Sequence, residues 1–366
     1  MTVSDSALKQ TPLYKEHESL KAKIVPFGGW QMPLQYEGII KEYTFARQEV
    51  VLFDTSHMGE FFIEGDLKGS GLDKIVTQSL KNMPVKTCRY GLMLKEEGGV
   101  IDDLIVYRIR NDKWMIVVNA GPKDNDVKHF QKHLNPEAKF CDVSSQTGKI
   151  DVQGPRSRDF LVDIIPDIRK LDYYAFDTFN VLGEDVIVSR TGYTGELGYE
   201  IYFPWNKTVE LWQLLLTKGA QPAGLGVRDV LRIEVGYPLY GHEITESGSP
   251  LQAGLKKFID WEKDFLGKQV LLREQEDGIK KKLINFVSEN RRSPRAHYKI
   301  YSADKTEIGK VSSGTFAPYL KKGVGLGFID KERGKIGNQV FFGEGRDFFA
   351  AEIVKRPIYD AGSLKK

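Results

Sequence analysis

Short runs of apolar and β-branched residues, broken by glycine and polar clusters, set the pattern of most of this chain. Val100–Ile109 is one such run, and the polar Arg110-Asn111-Asp112 segment separates it from Trp114–Val118, so the pair predicts a β-hairpin. Asp185–Ser189 and Tyr199–Phe203 flank a stretch carrying Gly192, Gly195 and Gly198, which predicts a strand, a glycine-rich turn and a returning strand. Helical spacing marks Asn125–His133, with Val127, Phe130 and Leu134 on one stripe. Gly154-Pro155 opens a second predicted helix carrying Phe160, Leu161, Ile164 and Ile165, because proline costs little in a first turn. Asn206 reads as the N-cap of a third, Val209–Thr217, which Gly219 ends. Val227–Glu234 is also helix-like.

The texture changes after about residue 275. Leu283–Val287, Tyr298–Tyr301, Gly309–Val311, Val324–Phe328 and Gln339–Phe342 are short strands between glycine and proline turns, which predicts a small β-barrel or sandwich. The whole reads as α+β, with antiparallel sheets and helices on one face. A chain of 366 residues is long for one core, so two or three domains are expected.

Composition narrows the setting. The chain is 41% hydrophobic and 28% charged, and no stretch approaches the roughly 18 apolar residues of a membrane span. Its first residues lack the apolar core of a secretory signal. Cys88 and Cys141 are the only cysteines, too few for a disulfide scaffold, so both are expected reduced in a cytoplasmic protein. A net charge of +3 from 53 basic and 50 acidic residues gives no general attraction for nucleic acid. Lys280-Lys281-Lys282 and Arg291, Arg292 and Arg295 are either solvated surface or a face for an acidic partner.

Phosphate-loop, His-Glu-x-x-His, Cys-x-x-Cys and Gly-x-Ser-x-Gly signatures are absent. His129 and His133 are four apart but lie off the apolar stripe with no third ligand near in sequence, so no metal is expected. Asp102-Asp103 lies on a predicted strand, where adjacent side chains point to opposite faces. One carboxylate can then enter a partly apolar pocket, where desolvation raises its pKa and makes it a better proton acceptor, while its neighbour stays outside. The alternative is that both cap the strand beside Gly98-Gly99. Met58 suits either a flat heteroaromatic ring or core filling. Arg228 and Arg232 suit either helix-surface ion pairs or bidentate capture of a carboxylate. The glycine hairpin at 190–200 serves a turn or a grip on a polar small molecule.

An ordered set of motifs then carries a resemblance. Thr11–Tyr14, Phe27–Trp30, Phe53–Glu60, Gly98–Leu104, Val117–Ala120, Gln153–Pro155, Ser189–Glu196, Gly224–Asp229, Leu239–Gly241 and Ser313–Thr315 follow one another as in the aminomethyltransferase, or T-protein, family of the glycine cleavage system. The chain resembles that family from near residue 11 to its C-terminus. The resemblance implies a three-domain cloverleaf around a central channel. Residues 1–275 would form the folate-binding region, two intertwined mixed α/β domains with antiparallel sheets, the second roughly 50–140. Residues 280–362 would form a small C-terminal β-barrel.

The resemblance also implies an activity: the methylene of an aminomethyl group on lipoylated H-protein passes to tetrahydrofolate, giving 5,10-methylenetetrahydrofolate, ammonia and dihydrolipoyl H-protein. Tetrahydrofolate is then the co-substrate, and no metal, nucleic acid or membrane is implied. Asp103 matches the catalytic aspartate, beside folate N10. Glu200 matches the glutamate at the pterin's amino-pyrimidine edge, and Arg228 an arginine of the folate pocket. Met58, Tyr90, Asn119, Tyr174 and Tyr237 match positions that touch the pterin and benzoyl rings. Gln252 and Ala296-His297 depart from the family pattern, and the tail ends on Lys365-Lys366. Iron–sulfur assembly relatives of this fold carry a Lys-Gly-Cys-Tyr-x-Gly-Gln motif that this chain lacks. A folate-dependent demethylase is the other alternative; the folate half of an amine oxidase normally adds a flavin domain, for which there is no room. Strand alternation leads to the expectation that Asp103→Asn loses most turnover while Asp102→Asn is mild.

Overall fold

The computed structural model describes residues 8–345 and 347–365; Lys366 lies outside them. The predicted hairpin forms, as Val100–Arg110 and Lys113–Val118. It sits inside an antiparallel five-stranded sheet ordered Cys88–Leu94, Val100–Arg110, Lys113–Val118, Gly59–Glu64, Lys139–Asp142. Period-two alternation gives this sheet two different faces. Leu104, Val106, Ile116 and Phe61 point one way and pack on Phe130 of the helix Lys123–His133. Phe130 is fully buried, so Phe130→Ala would cost about 3–5 kcal/mol. Tyr107, Met115 and Val117 point the other way and meet Phe176 and Tyr202 of a second sheet.

That second sheet has six strands, in the order Phe176–Val181, Glu184–Ser189, Gly198–Pro204, Thr147–Gln153, Val51–Asp54 and Gln221–Pro222. All neighbours are antiparallel except the last pair. The glycine hairpin joins two of these strands, with Ser189 opposite Glu200. The two sheets are fastened where Tyr107 and Tyr202 share a hydroxyl–hydroxyl hydrogen bond of 2.8 Å.

Two helix predictions need correction. The helix after Pro155 is only Ser157–Leu161, and Ile164 and Ile165 lie beyond it. Pro166 explains the stop, because it disfavours α conformation at the residue before it, and Ile165 has φ −131° and ψ 83°. Asn206 caps nothing. It lies inside a 3-10 turn, Trp205–Lys207, that runs into the helix Thr208–Thr217, whose Thr208 Oγ1 donates to Pro204 O at 3.0 Å.

The C-terminal region is a closed barrel, not a sandwich. Its strands are Lys281–Ser288, Lys299–Tyr301, Glu307–Ala317, Lys322–Asp330, Gln339–Gly343 and Phe349–Val354. The first pairs with both Lys322–Asp330 and Phe349–Val354, which closes the sheet and leaves no free edge. The helix Leu225–Val235 joins the barrel to the rest: Ile233 packs on Ala317, Val324 and Leu326, and Arg232 Nη2 donates to Ser313 Oγ at 2.7 Å. No described helix is long and apolar enough to cross a membrane.

Candidate active site

Asp103 shares its strand face with Tyr107 and therefore faces the space between the two sheets, while Asp102 faces the helix Lys123–His133. Asp103 is partly exposed and Asp102 fully buried. The expectation that the neighbour stays outside is thus corrected: alternation sends it into a core, not into water. Nor do the two carboxylates cap the strand start. Tyr90 lies two register positions from Leu92, the partner of Asp103, and so on the same face, and its hydroxyl donates to Asp103 Oδ2 at 2.9 Å. Asn119, just past Lys113–Val118, links both aspartates. Its Nδ2 lies 2.8 Å from Asp103 Oδ1 and 2.8 Å from Asp102 Oδ1, and its backbone N–H donates to Asp102 Oδ2 at 2.8 Å. Burial pushes Asp103 up to about 6, although the Tyr90 and Asn119 hydrogen bonds pull it down. A carboxylate poised there can take or return a proton near neutral pH.

A second group lies on the six-stranded sheet. Asp151 and Glu200 are directly opposite on neighbouring strands, where like charges repel. Lys149, two residues along, answers both, with Nζ 2.6 Å from Glu200 Oε1 and 3.2 Å from Asp151 Oδ1. Arg228, from the helix Leu225–Val235, donates to Asp151 Oδ2 at 2.8 Å. The four charges sum to zero. Burial alone would lower the Lys149 pKa, but the Asp151 and Glu200 carboxylates outweigh it and raise it. Burial would likewise raise Asp151, yet Lys149 and Arg228 hold it below the usual carboxylate range. Thr191 donates its hydroxyl to Glu200 Oε2, and Met58 Sδ stands 3.5 Å from Lys149 Nζ.

Aromatic rings lie between the groups. The Arg228 guanidinium lies 5.2 Å from the Tyr193 ring centre, and Tyr193 stacks on Tyr237 at 5.6 Å. Tyr193 is within electrostatic reach of both Asp103 and Arg228. Tyr90 packs edge-on against Phe258 at 4.6 Å. Tyr174 has φ +62°, and its carbonyl accepts from Cys88 N, so the backbone is pinned where the sheets meet.

Six of the eight residues singled out from the sequence fall into two connected sets, Tyr90, Asp103 and Asn119, and Met58, Glu200 and Arg228, the latter joined through Lys149 and Asp151. Tyr237 stacks on Tyr193, and Tyr174 packs edge-on against Tyr173. Sequence reasoning missed Lys149 and Asp151, and reached Thr191 and Tyr193 only as members of the glycine hairpin. The signal for the first two was two charges alternating with Ile150 and Val152 in a strand buried throughout all but its first residue. Arg232, read as helix surface or a carboxylate clamp, is buried and donates to Glu243 Oε2 at 2.8 Å. His129 and His133 are half-buried, ring to ring at 4.5 Å, and belong to no cluster of three metal-ligating groups among the described residues.

Comparison with known proteins fits this architecture. Residues 13–263 match the GCVT N-terminal domain, and residues 281–360 match the glycine cleavage T-protein C-terminal barrel domain. An antiparallel sheet and a mixed sheet followed by a closed barrel are thus the fold of the glycine cleavage T-proteins. An aminomethyltransferase of Pseudothermotoga lettingae is 42% identical over 366 residues, covering 98% of this chain and 99% of its own. One from Halothermothrix orenii is 38% identical, covering 96% and 99%. The crystal structure of the glycine cleavage system aminomethyltransferase T from Bartonella henselae superposes with a TM-score of 0.91 at 29% identity, covering 97% and 99%. The chain belongs to the aminomethyltransferase family of enzymes.

Proposed function

We propose that this chain moves the methylene of an aminomethyl group, carried on lipoylated H-protein, to tetrahydrofolate. In that reaction the carbon loses its bonds to sulfur and to the amine nitrogen and gains bonds to two folate nitrogens. The two protons those nitrogens lose appear on the lipoyl sulfur and on ammonia, so atoms balance. The observation that carries the reading is Asp103, held by Tyr90 and Asn119 in a half-buried site with its pKa raised to about 6. Its role is to orient the attacking nitrogen, to stabilise transient positive charge and to accept a proton.

The residues opposite suit a pterin. Glu200 already accepts from Lys149 and Thr191, but each carboxylate oxygen has two lone pairs, so acceptor capacity remains for a donor-rich amino-pyrimidine edge. Met58, Tyr90, Asn119, Tyr174, Arg228 and Tyr237 complete the proposed folate site. The exposed Arg291 and Arg292 are the proposed meeting point for an acidic carrier. Two free cysteines suit a cytoplasmic setting.

The test is ammonia release from aminomethylated H-protein with and without tetrahydrofolate. Release that depends on both substrates is expected. Folate binding without ammonia above the non-enzymatic rate would instead mean a non-catalytic folate-binding protein and sink the proposal.

A further inference from the structure

One more buried acid lies beneath the site. Asp126 lies in the first turn of the helix Lys123–His133, fully buried against the face of the sheet that carries Asp102. Among the described residues no donor reaches either of its carboxyl oxygens. It interacts with another carboxyl, that of Asp102, which faces the same helix. Two buried carboxyl groups in contact are held apart by repulsion unless a proton lies between them. The Asp102 oxygens both already accept from Asn119, one from its side chain and one from its backbone. Those of Asp126 accept from nothing, so the proton belongs on Asp126.

We propose that Asp126 is a neutral positioning residue that donates its carboxyl proton to Asp102 and thereby holds the Asp102–Asn119–Asp103 chain in one arrangement. This rests on the reading of Asp103 as the group that handles the reaction's proton. The link is geometric: Asn119 Nδ2 touches Asp102 and Asp103 at the same 2.8 Å, so freeing Asp102 frees Asn119.

The surroundings agree. Lys123, the nearest cation on the same helix, is committed to Asp142 at 3.0 Å and lies 3.8 Å from Asp124. Asp103 from the same strand as Asp102 and Asp124 from the helix add negative charge. Tyr240 faces the three aspartates from the loop after Leu225–Val235, and Tyr90 and Tyr193 face Asp103. Burial pushes Asp126 up to about 8, although its hydrogen bond with Asp102 pulls it down. Burial also pushes Asp102 well above the usual carboxylate range, so the pair keeps a proton at neutral pH. The two Asn119 donors on Asp102 put that proton on Asp126.

Replacing Asp126 by leucine, of similar volume but without a donor, leaves Asp102 two options. If it stays ionised, its unneutralised charge raises the Asp103 pKa. If it takes a proton, that O–H displaces one Asn119 hydrogen bond, Asp103 loses support, and its pKa again rises. Both routes move the acid limb of the rate profile to higher pH. Asp126→Asn keeps a neutral donor toward Asp102 and leaves the limb in place.

Two measurements test this. With aspartate carboxyl carbons labelled with carbon-13, assigned by loss of one signal in Asp126→Asn, wild-type protein should keep that carbon at its protonated shift at pH 7. An ionised Asp126 carbon at pH 7 overturns the proposal, and this holds even if the leucine variant fails to fold. In ammonia release, Asp126→Leu should lower kcat by about tenfold to a hundredfold, with KM for tetrahydrofolate unchanged and the acid limb moved up. Asp126→Asn should restore kcat to within a few-fold and return the limb. Equal losses in both variants with an unmoved limb would make Asp126 merely structural. Wild-type protein without folate-dependent ammonia release would sink the reading of Asp103, leaving the carbon titration to decide the carboxyl pair on its own.

Discussion

Lys149 offers the sharpest test of how the proposed folate side of the site is held together. It is fully buried, and its ammonium is the common partner of two carboxylates that face each other across a strand pair. Lys149→Met keeps the length and apolar stem but removes the charge. The Asp151 carboxylate keeps Arg228 at 2.8 Å and Thr55 at 2.8 Å, whereas Glu200 keeps only the Thr191 hydroxyl. Glu200 is then the uncompensated charge. Removing one partner of a buried pair costs about 3–5 kcal/mol, because the other is left desolvated and unpaired. Urea unfolding of wild-type and variant at pH 8 measures this. A gap of about 3 kcal/mol or more is expected. A gap below about 1 kcal/mol would refute the view that Lys149 neutralises the opposed carboxylates.

Further perturbations probe the other side and the hairpin. Tyr90→Phe removes the 2.9 Å hydrogen bond that lowers Asp103, so its pKa climbs from about 6. A hydrogen bond to a charged group contributes about 1.5–3 kcal/mol, roughly one pH unit or more, and the acid limb of ammonia release should move up by that much; an unmoved limb contradicts it. Gly195 has φ +78°, and a Cβ there would stand 2.5 Å from Val235 Cγ2. Gly195→Ala should therefore destabilise by at least about 1–2 kcal/mol in denaturant unfolding, and an undiminished midpoint would show that the turn is not constrained. Asp102→Asn is no longer expected to be mild, since both Asp102 oxygens accept from Asn119 and an amide would turn a donor against one of them. Its kcat should fall at least several-fold, and an unchanged kcat would show that the Asn119 link is slack.

Local pattern made much of the fold readable. Val100–Ile109 and Trp114–Val118 are apolar, β-branched runs split by a polar turn, and the pleat did the rest. The barrel strands were equally plain, except Phe349–Val354, whose Phe-Ala-Ala-Glu run has little β-branched character. Helix ends were less legible, because Pro166 and the turn at Trp205–Lys207 act through the residues before them. In the site, alternation correctly sent Asp102 and Asp103 to opposite faces. What it could not supply is Asn119, sixteen residues beyond Asp103, reaching back to join them. The neutralising role of Lys149 was hidden for the same reason: its partner Glu200 is 51 residues away, and only strand register brings them together.

The proposed chemistry rests on Asp103. Asp103→Asn is nearly isosteric, keeps hydrogen-bonding groups toward Tyr90 and Asn119, and removes the proton acceptor. Tetrahydrofolate affinity by calorimetry and kcat for ammonia release from aminomethylated H-protein, taken on the same preparation, separate binding from chemistry. The expected result is affinity within a few-fold of wild type and a kcat lowered by about a hundredfold or more. A variant that binds tetrahydrofolate and turns over at the wild-type rate would contradict the assignment of the chemistry to this residue.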